Sequence, residues 1–311
     1  MEEGVKQINE QVYMMAVPQA YGHPITASYL VKGEKTALIE AAFGASVPNL
    51  LKAIEGVGVE PADIEYVFTT HSHLSHASAL GALLKSCPRA KVVAHSATSK
   101  LLMKPAKIMK GAGNVLGDAV KLFGPVEPVP KDKISMVSGG EAFDLGNGVG
   151  LEIIRTPGHA PDHVAIYEKL TRTLFPGDGV CMYSSEIPVL IPICWWGAYD
   201  VEGVKKSLGR LTKLNLNHVC TPHAGVVPLD PKEFLNKCME SIDKWRDEIN
   251  AMLERGQTYS GILRTCEEEM IARRAGYSSP DELPEYFRKY WLPILPKLVV
   301  QGFMAHILWK F

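Results

Sequence analysis

Between Gln11 and about residue 228 the chain alternates short β-rich apolar runs with stretches of helical spacing. Gln11–Pro18, Thr26–Lys32 and Thr36–Glu40 read as successive strands, with Gly33-Glu34-Lys35 as a hairpin turn between the last two. Val47–Ile54 has helical spacing, and Ile64–Thr69 is a buried-strand run. The pattern then predicts a helix from about Ala77 to Leu84, a strand at Lys91–Ala94, and helical structure from Ser96 to Phe123 interrupted at Pro105. A turn-rich connector, Gly124 to Pro130, precedes strands at Leu151–Arg155, Val164–Tyr167 and Thr173–Phe175. A helix at Val201–Leu214 and a short strand at His218–Cys220 close this texture.

From Pro231 onward the pattern is helical. Phe234, Met239, Ile242, Trp245, Ile249 and Met252 recur at three- and four-residue intervals and define one apolar face. Tyr259–Ala275 reads as a second helix, and Ser279-Pro280 opens a third, because proline suits a first helical turn. Two regions are therefore expected: 1–228, carrying the chemistry, and 229–311, a helical region acting as a lid or in oligomerisation. The apolar stretch Trp291 to Trp309 is broken by Pro293, Pro296, Lys297, Gln301, Gly302 and His306. A membrane span needs about 20 mostly apolar residues, so this stretch reads as a packing helix and no span is expected.

Composition adds bounds. The 311 residues are 46% hydrophobic and 22% charged, as in an ordinary globular chain long enough to bury a core without disulfide staples. A net charge of -1 argues against a large nucleic-acid footprint. The cysteines, at 87, 181, 194, 220, 238 and 266, form no Cys-x-x-Cys pair and read as reduced thiols of a cytoplasmic protein. The start, Met1-Glu-Glu-Gly-Val-Lys6, is acidic and lacks a following apolar segment, so no leader is expected.

The chemistry concentrates at His71, His73 and His76, at the end of a strand-like run. His71 and His73, two apart in a loop, can converge on one ion, and His76 can face a second point nearby. Neutral imidazole is the commonest zinc ligand and also suits iron. Three further strand ends offer ligands: Thr156-Pro-Gly-His159, Phe175-Pro-Gly-Asp178, and Cys220-Thr-Pro-His223.

Together with the pair Tyr29-Leu-Val31 and Ala37-Leu-Ile-Glu40, these motifs, in this order over roughly residues 10 to 228, resemble the metallo-β-lactamase-fold superfamily. That superfamily includes glyoxalase II-like thioesterases, lactonases and flavodiiron-type oxygen-reducing domains. The resemblance implies an α/β (α+β) fold: a four-layer αββα sandwich with the metal site at the sheet edge, here with a C-terminal helical extension. It implies that His71, His73 and His159 bind a first metal, that His76 and His223 bind a second, and that Asp178 bridges them. Two ions about 4 Å apart share a water and lower its pKa toward neutrality. The cofactor implied is two zinc ions, the second weakly held, or one or two iron ions.

The chain departs from the family pattern around this loop. The motif His-x-His-x-Asp-His carries serine at its catalytic aspartate position, Ser75. Serine is neutral, short and a poor ligand, so the second ion loses one negative charge. The usual Asp-Thr-Gly after the third strand reads Glu40-Ala41-Ala42, where Glu40 is expected to brace the histidine loop with a longer arm. The usual Gly-Gly after the loop reads Ala77-Ser78.

Other residues carry weaker signals. His163, four after a ligand, is expected to support that ligand or pack in the strand, rather than hydrogen-bond substrate. Trp195 and Trp196 form either an apolar substrate wall or a packing contact. Cys181 and Cys194 lack an activating partner and read as inert thiols. His23, His95, His218 and His306 read as structural. The apolar C-terminal helices fit either a homodimer contact or packing on the sandwich, and they lack the basic recognition helix of a winged helix. Three functions follow: a metal-dependent hydrolase of a small ester, thioester or lactone; an iron-dependent oxygen or sulfur redox protein; and a non-catalytic metal-binding relative. In each the partner is a small molecule rather than nucleic acid.

Overall fold

The computed structural model describes residues 4–18, 22–195 and 197–309. A first sheet has the order β1 (Gly4–Gln7), β2 (Val12–Ala16), β3 (Ala27–Lys32), β4 (Thr36–Ile39), β5 (Ile64–Phe68), β6 (Lys91–His95) and β7 (Ile134–Val137). Neighbours are antiparallel from β1 to β4 and parallel from β4 to β7. The remaining strands are β8 (Ala142–Asp144), β9 (Gly150–Arg155), β10 (Val164–Glu168), β11 (Thr173–Phe175), the short pair β12 (Cys181–Met182) and β13 (Ile191–Pro192), then β14 (His218–Thr221) and β15 (Gly225–Val226). The second sheet runs β15-β14-β11-β10-β9-β8, with only the β11–β14 pair parallel.

Helices α1 (Val47–Gly56), α2 (Leu74–Ala77), α3 (Leu80–Leu83), α4 (Ser96–Met103) and α5 (Ala106–Leu116) lie in the connections of the first sheet. The chain folds as two compact units. The first holds the residues up to Arg155, Asp162–Gly177 and Asn217–Val226, and so contains both sheets.

The core of this unit lies between the sheets. Tyr29, Val31, Ile39, Phe68 and Val93 from the first meet Leu151, Ile153, Val164, Ile166 and Phe175 from the second. Tyr29 and Phe175 lie 5.2 Å apart between centroids, and Phe68 meets Phe143 edge-on at 5.1 Å. Leu30 and Leu38, with the opposite parity along β3 and β4, are also fully buried. These strands are thus covered on both faces, which is why they read as continuous apolar runs. The α/β sandwich with C-terminal helices is the architecture that the motifs implied.

The second unit holds Thr156–Pro161, Asp178–Leu216 and the chain from Val227. Its helices are α6 (Val201–Leu211), α7 (Pro231–Glu254), α8 (Tyr259–Thr265), α9 (Ile271–Arg274) and α10 (Leu295–Trp309). Asp230 caps α7 by accepting from the Glu233 amide at 2.9 Å, with Pro231 in the first turn. The buried stripe of α7 includes Phe234, Ile242, Trp245, Ile249 and Met252, and Trp245 Nε1 donates to the Leu190 carbonyl at 3.0 Å. The apolar residues Val299, Val300 and Phe303 of α10 are fully buried, Phe303 against Tyr199 at 5.6 Å. This part of the apolar tail packs against α7, α8, β13 and Tyr199 of the same chain.

Two sequence expectations shift. The helix expected from Ala77 starts earlier, at Leu74, and splits into α2 and α3. The Ser78 hydroxyl donates back to the Leu74 carbonyl at 2.7 Å, competing with helix continuation. Strands β1, β7, β8, β12, β13 and β15, of two to four residues, were not expected: runs this short carry little alternation, and no ligand-bearing turn marks their ends as it does for the equally short β11 and β14. Among the described residues no helix is long and apolar enough to cross a membrane.

Candidate metal centre

Each strand end that the sequence marked places its side chain by a specific local device. After β5, the Thr69 amide donates to the Val93 carbonyl, and the Thr69 hydroxyl donates to the His71 carbonyl at 3.0 Å, turning the chain out of the sheet. His73 then starts the single-turn helix α2, whose amides at His76 and Ala77 both donate to the His73 carbonyl at 3.1 Å. His73 and His76 are therefore three apart on one helical turn.

Two glycines fix the next ligands. Gly158 has φ +140°, and a Cβ there would lie 2.6 Å from Val204 Cα of α6. Only glycine lets the turn before His159 sit this close to the helix. Gly177 has φ +56°, and a Cβ there would meet His163 Nε2 at 2.6 Å and Thr70 Oγ1 at 2.7 Å. The turn before Asp178 is thus closed to any side chain. After β14, the Tyr29 hydroxyl donates to the Thr221 carbonyl and the Ala27 amide to the Pro222 carbonyl, both at 2.6 Å, holding the approach to His223.

The result is two groups of ligand-type atoms, within each of which all atoms lie within 4.8 Å of one another. One is His71, His73, His159 and Asp178; the other is His76, Asp178 and His223. The side chains named from the sequence thus lie near one another in two groups, with Asp178 common to both. His71, His76, His159 and Asp178 are buried, while His73 and His223 are half-buried and give the centre its solvent-facing side.

The ring nitrogens show that the donor set suits a cation. His159 Nδ1 is 2.8 Å from the Ile193 carbonyl, and His223 Nδ1 is 2.9 Å from the Ile25 carbonyl. A carbonyl only accepts, so each Nδ1 carries the proton and each Nε2 carries the lone pair. His76 Nδ1 lies 3.0 Å from Glu40 Oε1, within ion-pair distance. The Thr70 hydroxyl donates to Glu40 Oε1 at 2.5 Å, so Thr70 Oγ1 is left to accept from His71 Nδ1 at 3.0 Å. His71 Nε2 lies 2.9 Å from His73 Nδ1, which places two donor atoms as neighbouring ligands of one ion. A metal ion fits this arrangement.

Glu40 lies against both groups of histidines. Its carboxylate is buried and reaches His76 directly and His71 through Thr70, so one side chain serves a histidine of each group. Glu40 and Ala42 have φ +62° and +59°, a left-handed conformation that costs a non-glycine residue roughly 1–2 kcal/mol. Strain of this kind persists where the surrounding structure enforces it, as beside functional sites.

Ser75 lies in α2 between His73 and His76 and is half-buried. His163 is buried with its ring 5.1 Å from that of His71, and its carbonyl accepts from Arg155. Trp195 is half-buried and lies two residues after Ile193, whose carbonyl holds His159. Trp196 lies outside the described residues. Cys181, Cys194 and Cys220 are buried, and burial pushes each thiol up, consistent with inert thiols.

One residue escaped the sequence reading. Asp162, three after His159, is buried, and its Oδ2 accepts from the Ser72 amide at 3.1 Å and the Thr98 hydroxyl at 2.7 Å. Ser72 separates two candidate ligands, so Asp162 pins the histidine loop to α4. Burial pushes its carboxyl up, but the bonds from Thr98 and Ser72 and the nearby His73 outweigh that and hold it below the usual aspartate range. Its stabilising contribution is full at neutral pH and is lost only as the pH falls through that depressed value. The signal available was a carboxylate inside a ligand turn. Asp162→Ala strands the half-buried Ser72 amide and the buried Thr98 hydroxyl and is expected to cost about 2 kcal/mol. Thermal unfolding of the metal-free protein measures this; an unchanged midpoint would remove Asp162 from the loop's support.

Comparisons with known proteins agree with this geometry. A sequence profile described as the metallo-beta-lactamase superfamily matches residues 21–214. The metallo-beta-lactamase fold-containing protein ST1585 of Sulfurisphaera tokodaii is 30% identical over 247 residues, 77% of this chain and 87% of that protein. Its crystal structure superposes with a TM-score of 0.62, covering 77% of this chain and 86% of the other. The probable metallo-hydrolase YqjP of Bacillus subtilis is 24% identical over 313 residues, 91% of this chain and 95% of that protein. A putative diflavin flavoprotein of Thermosynechococcus vestitus is 27% identical over 237 residues, 71% of this chain but only 36% of that longer protein.

Proposed function

Because the chain belongs to the metallo-β-lactamase superfamily, we propose that it is a metal-dependent hydrolase of a small ester, thioester or lactone. The observation that carries this reading is the pair of ligand groups sharing Asp178, with the ring tautomers of His159 and His223 set by the Ile193 and Ile25 carbonyls. His71, His73 and His159 would hold the first ion with Asp178, and His76 and His223 would share Asp178 at the second. A metal bound there supplies a water acidified toward neutrality and a Lewis acid for the substrate carbonyl. The protein's part is orientation: Glu40, Thr70 and the two carbonyls fix the imidazoles, and burial of three of them excludes bulk water from one side.

The second group has two neutral imidazoles and one shared carboxylate, with Ser75 where the family places another carboxylate. Hard divalent ions bind such a set weakly. Ser75→Asp is therefore expected to raise occupancy of the second position toward one ion per chain and to raise ester hydrolysis, measured by metal analysis and turnover on the same preparation. If both stay flat, Ser75 is not the limiting feature of this centre.

A second reading rests on likeness to the diflavin flavoprotein and on the donor set. His71, His159 and Asp178 make a two-histidine, one-carboxylate face that suits non-haem iron. Anaerobic purification followed by metal analysis decides between them. Zinc with ester turnover supports the hydrolase; iron with a visible spectrum and oxygen uptake replaces it with redox chemistry. Absence of any bound metal, with no gain on adding one, refutes both.

A further inference from the structure

The charge of this chain is unevenly placed. Acidic and basic residues nearly balance overall, 34 against 33, yet between Glu65 and Asp118 there is no acidic residue and there are seven Lys or Arg. This acid-free stretch contains the histidine loop and helices α4 and α5. Three of its cations have local partners: Lys85 pairs with Glu127, Arg89 with Asp63, and Lys91 donates to the Asp132 carbonyl. Lys100, Lys104, Lys107 and Lys110 are exposed, and the nearest acidic residue in sequence is Asp118, itself paired with Lys121. Lys107 and Lys110, three apart, share a face of α5, while Lys100 lies in α4 and Lys104 just beyond its end, so the four make an uncompensated cationic run of chain across α4, Pro105 and α5.

The strip is tied to the metal loop from two sides. In α4, Thr98 donates to Asp162, which holds the Ser72 amide between His71 and His73. Helix α5 packs against α2, which carries Ser75 and His76. The buried side of α5 is used inside the fold: Ile108 and Ala112 are buried, and Phe123, just beyond the helix, stacks on Phe43 at 4.3 Å. The charged side chains of α5, Lys107 and Lys110, are both cationic and exposed, with Leu122 the one exposed large apolar side chain near it among the described residues. Like charges left adjacent without a counter-charge repel one another, and an anion that neutralises them relieves that cost.

We propose that the Lys100–Lys110 strip is a binding site for the anionic, phosphate-bearing tail of the substrate. On this reading the substrate is an ester or thioester whose non-reacting part carries two or more negative charges, seated on the lysines while its carbonyl reaches the metal centre. This deepens the hydrolase reading and rests on it for the identity of the reacting bond. A soluble tail is favoured over an anionic membrane because a surface-binding helix inserts an apolar face, and that of α5 is already buried. It is favoured over nucleic acid because the strip is confined to two short helices in a chain of net charge -1.

The test compares the metal-loaded wild type with K100E/K104E/K107E/K110E, and with the corresponding four-glutamine variant if charge reversal impairs folding. The first measurement is fluorescence anisotropy of a pyrene trisulfonate, a trianion that does not strip metal. Affinity is expected to fall at least tenfold in the variant and to fall with added salt in the wild type. The second compares a thioester of a phosphorylated thiol with the same acyl group on a neutral thiol. KM for the phosphorylated substrate should rise at least tenfold in the variant with kcat unchanged, while neutral-thioester kinetics stay within twofold. Equal trianion affinity in both proteins overturns the proposal. So does lysine-dependent sedimentation with phosphatidylserine vesicles without lysine-dependent trianion binding, which would make the strip a membrane contact. If the wild type hydrolyses neither thioester but binds the trianion through these lysines, the hydrolase reading fails and the anion site stands.

Discussion

Asp178→Ala is expected to leave the purified protein with less than one tightly bound ion per chain and to remove hydrolytic activity. Asp178 is common to both ligand groups, and the donors remaining in each group would all be neutral imidazoles. Its Oδ2 lies 3.7 Å from His159 Nε2, a separation suited to two atoms flanking one ion. Loss of a group that merely supports a ligand weakens metal binding by roughly 10–100-fold, so loss of a shared, charged ligand should exceed about 100-fold. Chelator-competition titration of wild type and variant provides the measurement. Asp178→Asn keeps the volume and removes the charge. If it binds both ions as tightly as wild type, the carboxylate is not the bridge and the two-ion reading fails.

The second large effect is expected at Glu40. Glu40→Gln preserves shape but takes away the negative charge that faces His76 Nδ1 and accepts from Thr70. Because Thr70 in turn accepts from His71, affinity should fall at both positions, by about 10–100-fold each. Thr70→Val breaks only the branch to His71 and should weaken the first position alone. Metal titrations that resolve two binding steps read the difference. A Glu40 variant that weakens only the His76 position would show that the Thr70 branch carries nothing. Glu40→Asp is not a rescue: aspartate tolerates the left-handed backbone better, but it is one methylene too short to reach Thr70 and His76 together.

Much of the fold was legible because it depends on local pattern. Strands β3, β4, β5 and β10 are continuous apolar runs since both faces are covered, and such runs stand out in sequence. The stripe on α7 was equally plain, because burial on one side of a 24-residue helix repeats many times. The short strands β7, β8, β12, β13 and β15 were not legible. Their pairing is decided by neighbours distant in the chain, two to four residues hold little periodicity, and they lack the ligand-bearing turns that marked the equally short β11 and β14.

The sequence by itself determined the ligand types and their order. Histidines at 71, 73, 76, 159 and 223 and the carboxylate at 178 each follow a β run, and the glycines before His159 and Asp178 already require turns. It also determined the departures, Ser75 and Glu40, and the acid-free run from 66 to 117. Only the tertiary structure decided what those residues do for one another. Glu40 serves His71 and His76 because Thr70 stands between them, the Ile193 and Ile25 carbonyls choose the protonated nitrogen of His159 and His223, and Asp162 holds the loop by its Ser72 amide. These relations join residues as far as 198 positions apart through hydrogen bonds of about 3 Å. Their geometry arises when the sheets pack, and no spacing along the chain encodes it.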